Sequence, residues 1–247
     1  MPEGDALHRA AERLRVMEGA VVAAESPHPR AALLGIAERI DGKRLERVEA
    51  RGKNLLLTFE DGVVVRSHLL MQGRWFVQPA GRPVWGSPWL VLRTDAWQAV
   101  QRNGPILELG TQRIAGLGPD VMASPPDLEA MLTRLRKSDQ TREIGDALLD
   151  QKLVAGIGNK WKAEALFEAA ISPWTLMREL SDDSVTDVLA TASRLMRGGR
   201  RRNRVYRRVG RPCLRCGTPI ASRPQGENVR MAYWCPSCQA GTEAATT

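Results

Sequence analysis

Apolar and polar positions follow a helical period at the start of the chain. Between residues 5 and 18, apolar side chains such as Leu7 and Leu14 recur three or four positions apart, while arginines and glutamates occupy the other faces. A glycine follows at position 19, which is typical of the end of an amphipathic helix. The pattern therefore predicts one short helix before any other element.

The pattern changes to short apolar runs between residues 43 and 109. These runs are rich in Val, Leu, Trp and Phe, and turn sequences such as "EDG" at 60–62 and "NGP" at 103–105 separate them. Short apolar runs bounded by such turns are typical of β-strands. We expect roughly six to eight strands here, packed as a two-sheet β-sandwich.

Helical patterning returns after "SPP" at 124–126 and continues to Met196, and a basic segment at 197–211 follows. The predicted fold class is α+β with several domains, because strands and helices are segregated along the chain. The expected boundaries are 1–122 for a helix and β-sandwich domain, 123–211 for a helical domain, 212–240 for a small cysteine module and 241–247 for a tail.

The net charge of the chain indicates which class of binding partner to expect. The 247 residues include 36 lysines and arginines against 28 aspartates and glutamates, which gives a net charge of +8. Such a balance favours an anionic partner, with nucleic acid ahead of an anionic membrane surface. No run of about 18 apolar residues and no secretion signal is present, so we expect a cytoplasmic protein with no membrane span.

Four cysteines near the end of the chain predict a metal site. They have the spacing C-x2-C-x18-C-x2-C and are Cys213, Cys216, Cys235 and Cys238. In a reducing compartment this spacing is typical of one tetrahedral zinc ion rather than of disulfides. Because protein fills all four positions, we expect a structural Zn²⁺ and no catalytic water. Any function of the module would come from exposed groups on its loop, such as Arg223 and Arg230.

A glycine-rich turn, "AGIGN" at 155–159, lies between two helical segments. We expect the second helix to start at Asn159 or Lys160, with Asn159 as a good N-cap. The unpaired amides and partial positive charge of a helix N-terminus suit a phosphate, and Lys160 and Lys162 add slightly to this. An ordinary turn between packed helices explains the same sequence, and both readings stay open.

Two stretches of the β-rich region carry further candidates. Lys53 precedes an apolar strand, where a lysine is either solvated or able to contact an anion. Leu70 and Met71 lie beside a turn in "SHLLMQG", where they either pack inward or act as a wedge inserted into a base stack. We expect a hydrogen-bonded structural role for the neighbouring His68.

The chain begins "MPEGD". Removal of the initiator methionine would leave Pro2 with a secondary amine directly before the carboxylate of Glu3. An α-amino group has a reference pKa of about 7.7–8.0, whereas that of lysine is about 10.4, so a terminal amine is the better nucleophile at neutral pH. The pair is therefore either an unstructured terminus or a nucleophile beside its acid.

Four separated segments occur together in one known order: "MPEG", "RGKNLLL", "LVAGIGNKWKAEALF" and "CLRCG…VRMAYWCPSCQ". In combination they resemble the formamidopyrimidine-DNA glycosylase and endonuclease VIII family of base-excision repair enzymes, over nearly the whole chain. The resemblance implies a helix and two-sheet β-sandwich followed by a helix–two-turn–helix domain with a zinc-finger β-hairpin. It also implies damaged DNA, held in the cleft between the two domains, as the partner of a monomeric, nucleoid-associated protein.

The resemblance also implies roles for single residues. Pro2 would be the nucleophile and Glu3 the acid/base group, while Lys53 and Arg230 would be catalytic residues that contact phosphate near the lesion. Asn159 would bind DNA phosphate, with Lys160 beside it. Met71, with Leu70, would fill the space left by the everted base.

Two departures from the family pattern shape the expected substrate. Ala6 stands where the family often has a glutamate, with Asp5 the nearby carboxylate, and 93–109 contains nothing like the "DPRRFG" loop of the formamidopyrimidine branch. The chain is therefore more similar to the endonuclease VIII branch, especially its actinobacterial forms. We expect a glycosylase and abasic-site lyase that removes oxidised bases, pyrimidines above all, by β,δ-elimination. The alternatives are a non-catalytic zinc protein that binds damaged or bent DNA and a zinc-ribbon protein that binds RNA.

Overall fold

The computed structural model describes residues 2–104, 106–199 and 202–240. The chain divides into two compact units, 1–116 and 117–247. The first combines a helix with two β-sheets, and the second is helical with a terminal β-hairpin. The predicted α+β class and order of modules are confirmed. The predicted tail at 241–247 lies outside the described residues.

The first unit begins with helix α1 (Gly4–Leu14), which buries Leu7 and Leu14. A 3₁₀ turn over Arg15–Met17 follows it. The α-helix thus ends earlier than the periodicity to residue 18 suggests, because the last turn tightens, as helix C-termini often do. The apolar period continues through the turn, since the side chain of Met17 is also buried.

Two four-stranded antiparallel sheets form the rest of this unit, with two short helices beside them. The helices are α2 (Pro29–Ala32) and α3 (Ile36–Ile40). The strands are β1 (Ala23–Glu25), β2 (Leu45–Arg51), β3 (Asn54–Phe59), β4 (Val63–His68), β5 (Arg74–Pro79), β6 (Leu90–Arg93), β7 (Trp97–Arg102) and β8 (Ile106–Leu109). Their orders are β1-β6-β7-β5 and β2-β3-β4-β8. Seven of these strands fall within the region that the sequence predicts as β-rich.

One hydrophobic core joins both sheets and α1. Leu57 from one sheet, Leu92 from the other and Leu14 from the helix are all fully buried members of it. Shared burial by two sheets is the packing of a β-sandwich, as predicted. Because α1 packs into this core, the position of its first turn is set by the core. The residues before the helix are connected directly to that turn.

The second unit contains four helices in its described part: α4 (Leu128–Lys137), α5 (Ile144–Ala147), α6 (Asn159–Glu168) and α7 (Asp182–Arg197). The side chains of Asp127 and Ser181 cap α4 and α7 by accepting backbone N–H bonds. Helix α5 is only four residues long, and consecutive turns connect it to α6. This is the predicted helix–two-turn–helix arrangement.

A β-hairpin of β9 (Ala221–Gln225) and β10 (Arg230–Trp234) ends the described chain. A small core containing Phe167 of α6, Ile220 and Cys235 attaches it to the helices. No helix in the described ranges is long and apolar enough to span a membrane.

Candidate active site and nucleic-acid interface

The N-terminal pair lies against the start of α1. Pro2 is partly buried, and Glu3 occupies the N-cap position with an extended backbone and only 3% exposure. The helix N-terminus places a partial positive charge beside this buried acidic residue. The nearby Asp5 carboxylate binds the Arg9 guanidinium at 2.8 Å within the same helix. The Asp5 carboxylate therefore pairs with Arg9 within the helix. Glu3 is the acidic residue that directly follows Pro2.

Lys53 lies in the turn between β2 and β3 and is half-buried. The preceding Gly52 is buried with a φ of 59°, a left-handed conformation that favours glycine. Burial lowers the pKa of His68, and the positive charges of Arg66 and Lys53 lower it further. The positive charge of Lys53 therefore affects His68 at the end of β4. The next candidate residues, Leu70 and Met71, follow this strand.

The turn after β4 separates three apolar neighbours. Leu69 is buried in the core, whereas Leu70 is 38% exposed and Met71 is 59% exposed. Leu70 adopts a left-handed φ of 47°, and its backbone N–H donates to Nδ1 of His68 at 3.1 Å. Of these three residues, only Leu69 packs inward, which is one of the two interpretations of this stretch. His68 has the structural hydrogen bond expected of it.

Helix α6 begins at Asn159, one of the two predicted starts, but the N-cap prediction is wrong. Gly158 occupies the N-cap position in an extended conformation, and no side chain caps the helix. Asn159 is instead the first helical residue, and its Nδ2 donates to the carbonyl of Met231 at 2.9 Å. Its Oδ1 is buried and accepts no hydrogen bond from the described residues. The side chain thus joins the helix N-terminus to the hairpin.

Lys160 occupies the next position of α6. Its Nζ lies 4.2 Å from the ring centroid of Trp161, which is buried, in a cation–π contact. The contact holds a positive charge on the first turn of the helix. This adds to the partial positive charge that the unpaired amides already provide there.

The four cysteines lie together at the base of the hairpin. Their sulfur atoms all fall within 4.8 Å of one another, with Cys213 to Cys238 at 3.9 Å and Cys216 to Cys235 at 3.4 Å. These separations are too long for disulfides and close to the edge of about 3.8 Å expected for a tetrahedron with Zn–S distances of 2.3 Å. The residues therefore fit a closed four-thiolate metal site.

Arg230 is exposed and is the first residue of β10, directly opposite Gln225 on β9. The other arginine that the sequence placed in the loop, Arg223, lies on β9 and over the ring of Trp174 at 5.6 Å. Arg230 is also adjacent to Met231, the residue whose carbonyl accepts the Asn159 amide. Within the second unit, two of the predicted phosphate contacts are therefore neighbours.

Two charged residues of α6 are buried. The sequence pattern does not single out Glu164, and the expected slight contribution of Lys162 to a phosphate site is wrong because this side chain is buried. The Glu164 carboxylate accepts backbone N–H bonds from residues 204, 205 and 206, at 2.9–3.1 Å. Lys162 is only 1% exposed, and its Nζ donates to Gln225 at 3.2 Å. The only sign of such residues in the sequence is a charged side chain at a position of the helix that is buried. The helical period does not show which residues bind it.

The predicted residues are divided between the two units. The first unit holds Pro2, Glu3, Lys53, Leu70 and Met71, and the second holds Asn159, Lys160, Arg230 and the four cysteines.

Family models match both units of the chain. Residues 1–107 match the formamidopyrimidine-DNA glycosylase N-terminal domain, and residues 117–205 match the H2TH domain of the same enzymes. The chain is 38% identical to "Probable endonuclease 8 2" of Streptomyces coelicolor, over 98% of this chain and 95% of that protein. It is 32% identical to "DNA-(apurinic or apyrimidinic site) lyase Nei2" of Mycolicibacterium smegmatis, over 97% and 99%.

A solved structure shares the fold. The Lactococcus lactis formamidopyrimidine-DNA glycosylase, in a complex with DNA containing an abasic site, superposes with a TM-score of 0.81 at 23% identity, over 97% of this chain and 100% of that one. The resemblance that the four sequence segments carry is thus confirmed along the whole length. The chain belongs to the formamidopyrimidine-DNA glycosylase and endonuclease 8 family.

Proposed function

We propose that this chain is a bifunctional base-excision repair enzyme that removes oxidised pyrimidines from DNA and then cuts the strand. Family membership supports the coarse activity, DNA glycosylase with abasic-site lyase. The observation that carries the chemical proposal is the position of Pro2, directly before the buried Glu3 at the N-terminus of α1. A nucleophilic amine and a proton donor are then neighbours from the same short segment.

The chemistry requires an amine that is neutral at cellular pH. With Met1 removed, the neutral Pro2 nitrogen attacks the anomeric carbon of the sugar, and the bond from that carbon to the damaged base breaks with its electron pair going to the base. The proton that the Pro2 nitrogen carried is lost in this step and neutralises the departing base. Glu3 protonates the ring oxygen as the ring opens, so a positively charged iminium forms between Pro2 and the sugar. Because Pro2 is a secondary amine, its iminium has no N–H proton left to lose and therefore stays positively charged.

Strand cutting follows from the same intermediate. The iminium accepts the electron pair released when a proton leaves the 2′ carbon, and the 3′ phosphate departs in the β-elimination. A second elimination expels the 5′ phosphate and leaves a gap with phosphate at both ends. We assign the proton transfers in these steps to Glu3, a role that its position directly after Pro2 in the chain supports.

DNA binding must offset the cost of everting a nucleotide, which is a few kcal/mol. We assign phosphate contacts to Lys53, Asn159 and Arg230, with Lys160 adding charge on α6. Met71, with Leu70, fills the gap in the base stack. Their exposure supports this, because a wedge must be available to the duplex.

The remaining parts of the proposal concern the metal, the substrate and the setting. The four cysteines hold one structural Zn²⁺, consistent with their spacing and sulfur separations. The segment 93–109 lacks the arginine-containing loop of the formamidopyrimidine branch, and relatives named endonuclease 8 support a preference for oxidised pyrimidines. The enzyme acts as a monomer on the nucleoid in the cytoplasm.

A strand-cutting assay tests the function. The protein is incubated with a duplex containing one thymine glycol and with a matched duplex containing 8-oxoguanine. We expect faster cutting of the thymine glycol strand, with phosphate at both ends of the gap. Glu3→Gln should slow base removal by roughly 100-fold or more, the usual scale of acid/base catalysis. Binding of both duplexes without cutting would instead identify a non-catalytic protein that recognises damaged DNA.

A further inference from the structure

Lys162 is a buried charge that the chemistry proposed above does not use. It lies on α6 three residues after Asn159, is 1% exposed, and is among the largest fully buried side chains of the described chain. A buried ammonium is costly unless acceptors compensate it. An apolar side chain could occupy the same buried position on α6, so the presence of a charged side chain there requires an explanation.

The Lys162 ammonium donates to Oε1 of Gln225 on β9 at 3.2 Å. Both hydrogens of the Gln225 amide nitrogen are in turn used. Its Nε2 donates to the carboxylate of Glu143 at 2.9 Å and to the carbonyl of Pro173 at 2.8 Å. A buried cation and a carboxylate are thus connected through one amide, an arrangement that we name the Lys162–Gln225–Glu143 relay.

The charges at its two ends fix the orientation of the amide. Lys162 has only donors and Glu143, when ionised, has only acceptors. Reversing the oxygen and nitrogen of Gln225 would therefore set donor against donor at one end and acceptor against acceptor at the other. The relay holds Gln225 in a single orientation, which a neutral apolar contact would not achieve.

Gln225 lies at the end of β9 and pairs directly with Arg230. The next residue, Gly226, packs so closely on Asp146 that a Cβ atom there would overlap the carboxylate. On the other strand, Asn159 binds the carbonyl of Met231. The hairpin end that carries Arg230 is therefore fixed to the helices on both strands.

We propose that Lys162 is a positioning residue for phosphate recognition, acting through Gln225 to hold Arg230 beside Asn159. This inference rests on the proposed function, since it assumes that Arg230 and Asn159 contact DNA phosphate. The ligand class is the sugar-phosphate backbone, and the relay itself does not touch it. Two residues held at a fixed separation bind two phosphates of one strand without first ordering a mobile hairpin.

The test is a double-mutant cycle on zinc-containing full-length protein. Equilibrium binding to a duplex with a tetrahydrofuran abasic analogue is measured at several salt concentrations for wild type, Lys162→Met, Arg230→Ala and the double variant. Lys137→Met, which removes one exposed lysine charge in the last turn of α4, is the control for charge loss alone. Thermal melting and zinc content confirm that each variant is folded.

Lys162→Met should weaken binding by roughly 5- to 30-fold, and its salt slope should fall by about one, as for the loss of one phosphate contact. In the Arg230→Ala background the same substitution should change the Kd by less than about 2-fold, because the residue that it positions is already absent. Lys137→Met should change the Kd less than Lys162→Met does. A purely structural role would weaken both backgrounds equally and leave the salt slope unchanged.

Three results would overturn the inference. Equal effects of Lys162→Met in both backgrounds, or wild-type binding by that variant while Arg230→Ala is weak, would refute the positioning role alone. Wild-type binding by Arg230→Ala would refute the proposed phosphate contact, and the inference with it. If Lys162→Met fails to fold, Glu143→Gln, which removes the anionic end of the relay at a half-buried position, should give the same pattern in the cycle.

Discussion

At the scale of single residues, His68 shows how one side chain sets the conformation of an exposed turn. Its Nδ1 accepts the backbone N–H of Leu70, which has a left-handed φ of 47°. Only the neutral imidazole with its proton on the other nitrogen can accept this bond. Burial and the charges of Arg66 and Lys53 lower the pKa of His68, so the neutral form is favoured.

The stability of this turn should therefore depend on pH. Because the pKa of His68 is lower in the folded protein than its ordinary value of 6.5, the unfolded chain binds more protons between the two values. The contribution is complete above about pH 6.5 and decreases as the pH falls below it. Thermal unfolding measured from pH 8 to pH 5 should show this loss.

His68→Asn is the matched variant for the pH dependence. An asparagine two residues before Leu70 can accept the same N–H through its side-chain oxygen but does not titrate. We expect its melting temperature to fall less than that of wild type between pH 7 and pH 5. Parallel curves for the two proteins would show that His68 does not carry the effect.

At the scale of elements, the β9–β10 hairpin combines the proposed zinc site with the proposed DNA contact of Arg230. The four cysteine sulfur atoms cluster at the base of the hairpin, while Arg230 is exposed at its other end. Substitutions at the two ends should therefore have different consequences. One should affect folding and binding together, and the other should affect binding alone.

Cys235→Ser should lower zinc content, melting temperature and DNA affinity together, since a closed metal site contributes directly to folding. Arg230→Ala should leave zinc content and melting temperature unchanged. It should weaken binding to abasic DNA by about 1.5–3 kcal/mol, the usual worth of a hydrogen bond to a charged group, or roughly 10- to 100-fold. Full activity of Arg230→Ala in the strand-cutting assay would contradict its assigned role.

The elements were more predictable than the contacts between them. The spacing of the four cysteines predicts their clustering, because each pair is local and the knuckles need only one hairpin to meet. The glycine-rich turn predicts the start of α6 for the same local reason. The contacts of Asn159 with Met231 and of Lys162 with Gln225 span 72 and 63 residues, and no local period encodes such pairs. The error at the N-cap is a shift of one residue, because Gly158 has the extended conformation of an N-cap and Asn159 is already helical.

At the scale of the whole molecule, the proposed chemistry and the proposed DNA contacts are assigned to both compact units. The nucleophile, the acid and the wedge belong to the first unit, and two phosphate contacts and the cysteine site belong to the second. The net charge of +8 suits the proposed anionic partner. The sequence predicts the fold class and family well, because the four segments are spread over the chain and each lies at a distinct structural position.

Covalent trapping with borohydride, followed by peptide mass spectrometry, tests the central claim most directly. Reduction during reaction with abasic DNA converts an iminium into a stable amine bond, and the mass of the modified peptide identifies the nitrogen. We predict an adduct on Pro2 in protein that has lost Met1, and no adduct when an uncleaved N-terminal tag converts that nitrogen into an amide. An undiminished adduct from the tagged protein, or an adduct on Lys53 instead, would contradict the assignment of Pro2 as the nucleophile.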